Sequence, residues 1–285
     1  MIKLEELSPR DIEQMSYNEL VGVTKETNRP PGGLNTVRTI CKESLLVPGS
    51  EILEIGTSTG FTAIELARLI DARVTAIDIN QMSLDEATER AQRAGVQGIT
   101  FELNNAMDLS YSSSRFDMVF CGNVTSYIPD RKKALSEYTR VLKDGGFLAA
   151  VPMYYLHEPS KSLIERVSEA IKYPVNPDYK PEWQKFFQAD PFVPIFSKDY
   201  RFDSIPPTRV DQYVRNILSS NHLQALRPDT RKTLREKYTS QINLFAENLS
   251  QMGYTIMLLR KENFRFDEEL FTGRPEENFD GNQTS

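Results

Sequence analysis

The run Glu54-Ile55-Gly56-Thr57-Ser58-Thr59-Gly60 combines an acid, short hydroxyl side chains and two glycines, a composition that lets a ligand approach bare backbone. A helix starting after Gly60 would add the free amides of its first turn. Two chemistries follow from the pattern alone. A pyrophosphate cradle uses G-x-G-x-x-G, but here Ser58 stands at the second glycine and Phe61 at the last. Residues 56–60 also spell G-x-S-x-G, the nucleophile elbow of serine hydrolases, and His222 with aspartates between keeps the order Ser, Asp, His. That elbow needs several strands and an oxyanion-hole segment ahead of it. The residues before Ser58 read mostly as helix and contain no HGGG-type stretch, so the elbow reading is poorly supported.

The elements around this turn can be read from periodicity. Residues 1–46 are helix-like, broken by the turn Asn28-Arg29-Pro30-Pro31-Gly32-Gly33. Strands are expected at 51–55, 73–79, 99–103, 116–121 and 147–151, with a last one at 253–260. Helices are expected at about 60–70, from a Ser83–Glu86 capping box to Gly95, and along the stripe Ala134, Leu135, Tyr138, Val141, Leu142, ended by Gly145-Gly146. A long helical segment covers about 208–251, and the polar run from 272 reads as a mobile tail. Strands alternating with helices imply an α/β fold with a doubly wound, mostly parallel sheet and helices on both faces, because parallel neighbours need helical crossovers.

In that setting Glu54-x-Gly56-x-Ser58-x-Gly60 resembles the E/D-x-G-x-G-x-G motif of class I S-adenosylmethionine-dependent methyltransferases. The likeness continues in order over residues 47–155. Asp78 ends the second strand, Asn105-Ala106 follow the third, Phe116-Asp117-Met118-Val119 matches "FD-x-V", and Leu142–Gly146 matches the "L-K-P-G-G" turn. Ser58 for the middle glycine and Asn104-Asn105 for Gly-Asp are the departures. The resemblance implies a Rossmann-like fold with a seven-stranded sheet. It also implies S-adenosylmethionine as cofactor, leaving S-adenosylhomocysteine, at Glu54, Gly56, Thr57, Gly60, Asp78, Ile79, Asn105, Ala106 and Asn123. Asp78 would accept the ribose hydroxyls, Asn105 would meet the adenine amino group, and Ile79 and Met107 would sandwich the ring.

The segment Cys121–Asp130 after the fourth strand looks like the "hxIPD" form of small-molecule enzymes, which places Asn123 and Tyr127 at the acceptor. The insertion at about 205–252 resembles their helical cap. Its polar cluster Ser219-Ser220-Asn221-His222, near a helix break, makes His222, with Tyr127, a candidate for base or substrate orientation. Tyr17 and Arg29 precede the core at a distance that lets them fold over the cofactor, and Arg29 could meet a carboxylate. Trp183, Phe186, Phe187 and Tyr200 could wall an organic acceptor.

Composition limits the alternatives. The 285 residues carry 34 basic and 40 acidic side chains, a formal charge of −6, which argues against a duplex-binding role. Cys41 and Cys121 are too few for a disulfide scaffold and suit a reducing cytosol, and two histidines outside any cluster argue against a metal site. No apolar run reaches the roughly 20 residues of a membrane span. The expectation is a cytoplasmic enzyme methylating an O, N or C nucleophile of a small metabolite. The alternatives are an RNA or protein acceptor, or a non-catalytic module that binds the cofactor. Its expected divisions are a lid segment (1–46), a cofactor-binding core (47–155), a sheet-completing region with the cap (156–271) and the tail (272–285).

Overall fold

A computed structural model describes residues 3–189 and 191–263; the expected tail at 272–285 lies outside the described residues. Helices α1 (Pro9–Gln14) and α2 (Tyr17–Thr24) open the chain, each started by a capping box, Ser8 with Asp11 and Ser16 with Glu19. After the proline-glycine turn comes α3 (Gly33–Glu43).

The strands β1 (Glu51–Ile55), β2 (Arg73–Asp78), β3 (Ile99–Leu103), β4 (Phe116–Cys121) and β5 (Leu142–Ala150) form a parallel sheet in the order β3-β2-β1-β4-β5. Their crossovers contain α4 (Phe61–Ile70), α5 (Gln81–Ala94) and α6 (Arg131–Val141). Side chains alternate across the sheet. Leu53, Ile55, Val119 and Leu148 face a core shared with α6, whereas Ile52, Val74, Met118 and Ala149 face one shared with α3 and α4.

The chain continues through β6 (Met153–Tyr155), α7 (Lys161–Ile171), α8 (Lys180–Phe187), β7 (Phe192–Arg201), α9 (Pro207–Leu218), α10 (Pro228–Leu249) and β8 (Met252–Lys261). β8 runs antiparallel between β5 and β7. β6 keeps the register of β5 along β8: Ala150 faces Met257, and Met153 faces Tyr254 three residues on. Pro152, which has no N–H to donate, interrupts the pairing, so β5 and β6 are one path and the sheet has seven positions. A third core joins Ile12, Leu20 and Val23 of the N-terminal helices to Val210, Val214, Leu234 and Tyr238 of α9 and α10. The two ends of the sequence thus build one helical layer.

Three expectations are corrected. α5 begins at Gln81 with Asn80 as its cap, whose carbonyl oxygen accepts from Met82 and Ser83 amides; Ser83 and Glu86 lie inside the helix. α6 ends at Val141, and Gly145-Gly146 belong to a bulge where β5 slips against β4. The long helical segment breaks at the polar cluster Ser219–His222, into α9, a 3-10 turn Asn221–Ala225 and α10. The aromatic wall does not form: Trp183 and Phe187 sit in the α6 core, whereas Tyr200 stacks on Tyr254 by the other face.

Candidate functional site

The chain leaves β1 for β2 and β3 on one side and returns to β4 on the other, so the order reverses between β1 and β4. A crevice at the carboxyl ends of these strands is where open α/β sheets bind ligands. The glycine turn occupies this position. Its Gly56 and Thr57 amides donate to the Ile77 carbonyl of β2 at 2.8 and 2.9 Å, which ties the turn to the neighbouring strand. Gly56 has φ +72, and a Cβ there would lie 2.5 Å from Val124 of the loop after β4. Gly60 has φ +82, and a Cβ would lie 2.8 Å from the Ala87 Cβ, so its absence lets α4 begin hard against α5. Ser58 also adopts the left-handed region, with φ +48, where the related motif has glycine.

Two carboxylates flank the turn. Glu54 is buried; its Oε2 accepts the Thr57 hydroxyl at 2.7 Å, and Thr62 and the Ala63 amide lie near enough to pull its carboxyl down. Burial pushes its carboxyl up to about 7 against the opposing pull of those donors. Asp78 sits at the end of β2. Its Oδ2 accepts the Ser58 amide at 2.9 Å and its Oδ1 the Asn80 amide at 2.9 Å, so the carboxylate is aimed by the turn itself. Burial raises its carboxyl too, opposed by these amides.

Beside Asp78 the surface becomes apolar. Ile79 is 79% exposed, and Leu103, the register partner of Asp78 on β3, is 60% exposed. Two large aliphatic side chains are thus left open at neighbouring strand ends. Asn105 and Ala106 follow. The Asn105 Oδ1 accepts the Met107 amide at 2.9 Å and its Nδ2 makes no hydrogen bond among the described residues, while Ala106 is buried. Met107 is half-buried against the α6 core.

On the other side of the turn, Asn123 braces the loop after β4: its Oδ1 accepts the Met153 amide and the Ser126 hydroxyl, each at 2.9 Å. Tyr127 is 45% exposed on the same loop, edge-on to Tyr173, and its surroundings raise its phenol, which stays protonated at neutral pH. The Arg29 guanidinium lies over the Phe61 ring at 5.0 Å, at the start of α4. Glu54, Gly56, Thr57, Gly60, Asp78, Ile79, Asn105, Ala106, Asn123, Tyr127 and Arg29 therefore gather at the strand ends.

The remaining two lie in the helical layer. The Tyr17 hydroxyl donates to Glu26 at 3.1–3.2 Å. His222 is bonded through Nε2 to the Val23 carbonyl at 3.0 Å, which fastens the 3-10 turn to α2 and leaves Nδ1 as the basic nitrogen. Leu103, Val124 and the contacts of Glu26 escaped the sequence reading. An apolar residue closing β3 was the visible signal for Leu103; nothing in the pattern marked the others.

Comparisons with known proteins agree with this geometry. A family model described as a methyltransferase domain matches residues 52–146. The 27-O-demethylrifamycin SV methyltransferase of Amycolatopsis mediterranei is 28% identical over 222 residues, covering 75% of this chain and 78% of that protein. The crystal structure of the MccD protein superposes with a TM-score of 0.69 at 23% identity, over 83% of this chain and all of that one. A Haemonchus contortus phosphoethanolamine N-methyltransferase, solved with phosphomonomethylethanolamine and S-adenosylhomocysteine, gives a TM-score of 0.65 at 19% identity, over 90% of this chain and 61% of that one.

Proposed function

We propose that this chain, which belongs to the class I S-adenosylmethionine-dependent methyltransferases, methylates a small metabolite held between the strand ends and its helical layer. The residues present fit the cofactor. Gly56 and Gly60 let the turn close against Val124 and Ala87 and hold the Ser58 amide on Asp78, Asp78 keeps lone pairs beyond those taken by Ser58 and Asn80, and Ile79 beside it is an exposed apolar side chain. Bound there, S-adenosylmethionine supplies a sulfonium methyl for in-line displacement and leaves as S-adenosylhomocysteine.

The protein's own part is to position. Asp78 would accept from the ribose hydroxyls, Ile79 and Met107 would lie against the adenine, and Asn105 and Ala106 would meet its edge. Gly56, Thr57 and Gly60 shape the turn over Glu54. Arg29 is the cation available for a carboxylate, and Asn123 is placed beside the acceptor. Tyr127, whose phenol stays protonated, orients the acceptor by donating a hydrogen bond. His222, whose Nε2 is engaged by the Val23 carbonyl, is the candidate base where the acceptor holds its proton. Holding nucleophile and methyl at near-attack distance can supply several kcal/mol of the barrier.

A small acceptor is supported by the relative named for 27-O-demethylrifamycin SV and by a net charge of −6, which disfavours a phosphate backbone. The observation that carries the reading is Asp78, fixed by the glycine turn beside the exposed Ile79. Calorimetric titration of the whole chain with S-adenosylhomocysteine tests it. Asp78→Ala is expected to weaken binding by about 1–3 kcal/mol, and an unchanged dissociation constant would remove the ribose assignment. Release of S-adenosylhomocysteine on adding small hydroxyl, amine or activated-carbon acceptors tests turnover.

A further inference from the structure

Glu26 lies just after α2, on the strap that leads from the helical layer to the proline-glycine turn, and it is 7% exposed. Three phenols from three helices converge on its carboxylate. Tyr238 of α10 donates to Oε2 at 2.8 Å, Tyr17 of α2 reaches both oxygens at 3.1–3.2 Å, and Tyr213 of α9 donates to Oε1. Burial and the nearby Glu26 charge raise all three phenols, so each stays a donor. Converging donors of this kind match an ionised acceptor, and they stitch the N-terminal helices to the late insertion at a single side chain.

The main chain of the same strap meets the glycine turn. The Thr59 hydroxyl, fully buried, donates to the Glu26 carbonyl at 3.0 Å and accepts the Asn28 amide at 3.0 Å. Asn28 Nδ2 also donates to Ser58 Oγ at 3.2 Å. From behind, Arg90 of α5 donates to the carbonyls of Lys25 and Glu26 and to the Thr27 hydroxyl, and is itself held by Glu86 at 3.2 Å. The strap is thus fixed on its flanks, and Ser58, whose amide orients Asp78, lies next in line.

We propose that Glu26 is a positioning residue: its carboxylate sets the three lid helices while its carbonyl, through Thr59, sets the glycine turn, so that lid arrangement and cofactor grip are coupled. This rests on the methyltransferase reading of the site. Glu26→Gln replaces one acceptor oxygen by a donor facing phenol donors, which must rearrange the strap. Thr59→Val removes the hydroxyl bridge with little change of shape.

The test is calorimetry with S-adenosylhomocysteine on the full chain, at a temperature where each variant's circular dichroism shows it folded. Each single variant is expected to raise the dissociation constant by about tenfold, on the scale of one lost charge-assisted or buried hydrogen bond. The double variant should be no weaker than the weaker single, because both act through one connection. A merely structural role would lower the melting temperature without this shared loss of affinity. Should Glu26→Gln not fold, Tyr213→Phe, which deletes one donor, is expected to raise the constant about threefold by the same weakening of the cluster. Wild-type affinity in whichever of these variants folds, or additive losses in the double variant, would overturn the coupling alone. A wild-type chain that binds no S-adenosylhomocysteine would overturn the methyltransferase reading and the coupling together.

Discussion

Glu54 shows how one buried side chain can tie the turn to pH. With its carboxyl pushed up to about 7 from an ordinary value of 4.5, it is held more tightly as the acid in the folded chain than in the unfolded one. The folded pKa is the higher, so this contribution to stability is complete below pH 4.5 and is lost as pH rises through about 7. The shift corresponds to about 3 kcal/mol across that window. Glu54→Gln, which keeps the shape and cannot ionise, is expected to flatten the pH dependence of unfolding free energy between about pH 5 and 7 by that amount. Urea melts at several pH values read this directly; a variant with the wild-type slope would show that Glu54 is not the group responsible. Sequence alone marked Glu54 as part of a motif but not its protonation behaviour, which arises from burial by residues distant in the chain. Ser58 is a similar case. Its substitution for glycine was visible, while its φ of +48 and its amide bond to Asp78 became visible only in the fold.

At the scale of elements, the closeness of α4 to α5 depends on Gly60. A methyl added there meets both the Cβ and, at 3.1 Å, the Cα of Ala87, and the backbone must keep φ +82. Backbone does not yield as a flexible side chain does. Gly60→Ala is therefore expected to destabilise the chain by about 2–4 kcal/mol, left-handed strain and overpacking together, and to weaken S-adenosylhomocysteine binding in whatever fraction folds. Denaturant midpoints and calorimetry would show it; a loss under 1 kcal/mol would mean that the helices separate without difficulty. The parallel strands were readable because their buried faces leave short β-branched runs bounded by Gly and Pro, as at residues 51–55. β7 was not. It is an edge strand whose first residue alone is buried, Pro194 and a register shift break its pairing, and its remaining side chains show no period of two. The start of α5 was misplaced by three residues because Ser83 and Glu86 mimic a capping box, while Asn80 caps with a side chain equally suited to a turn. The split of the long helix followed the same polar cluster that drew attention to His222.

For the whole molecule, the question is whether the helical layer and the sheet respond to the cofactor as one body. The third core holds the layer together with apolar side chains from residues 7 to 23 and 210 to 238, segments that sequence order gives no reason to pair. Its polar contacts with the sheet domain at the site run through Thr59, Asn28 and Arg90 and through Lys25, which pairs with Glu86 and Glu89. A ligand that binds only when those contacts are made must stabilise both parts. At S-adenosylhomocysteine a hundredfold above its dissociation constant, linkage supplies about 2.7 kcal/mol. For a chain of this size that is a rise of roughly 4–5 °C in melting temperature. Hydrogen exchange should report the same event locally, with slowed exchange at the amides of residues 25–28 and in the glycine turn. A homopolymeric RNA at equal concentration should change neither, given the −6 charge. Slowed exchange in the turn alone, with residues 25–28 exchanging as before, would show that the layer stays indifferent to the cofactor and serves the acceptor only.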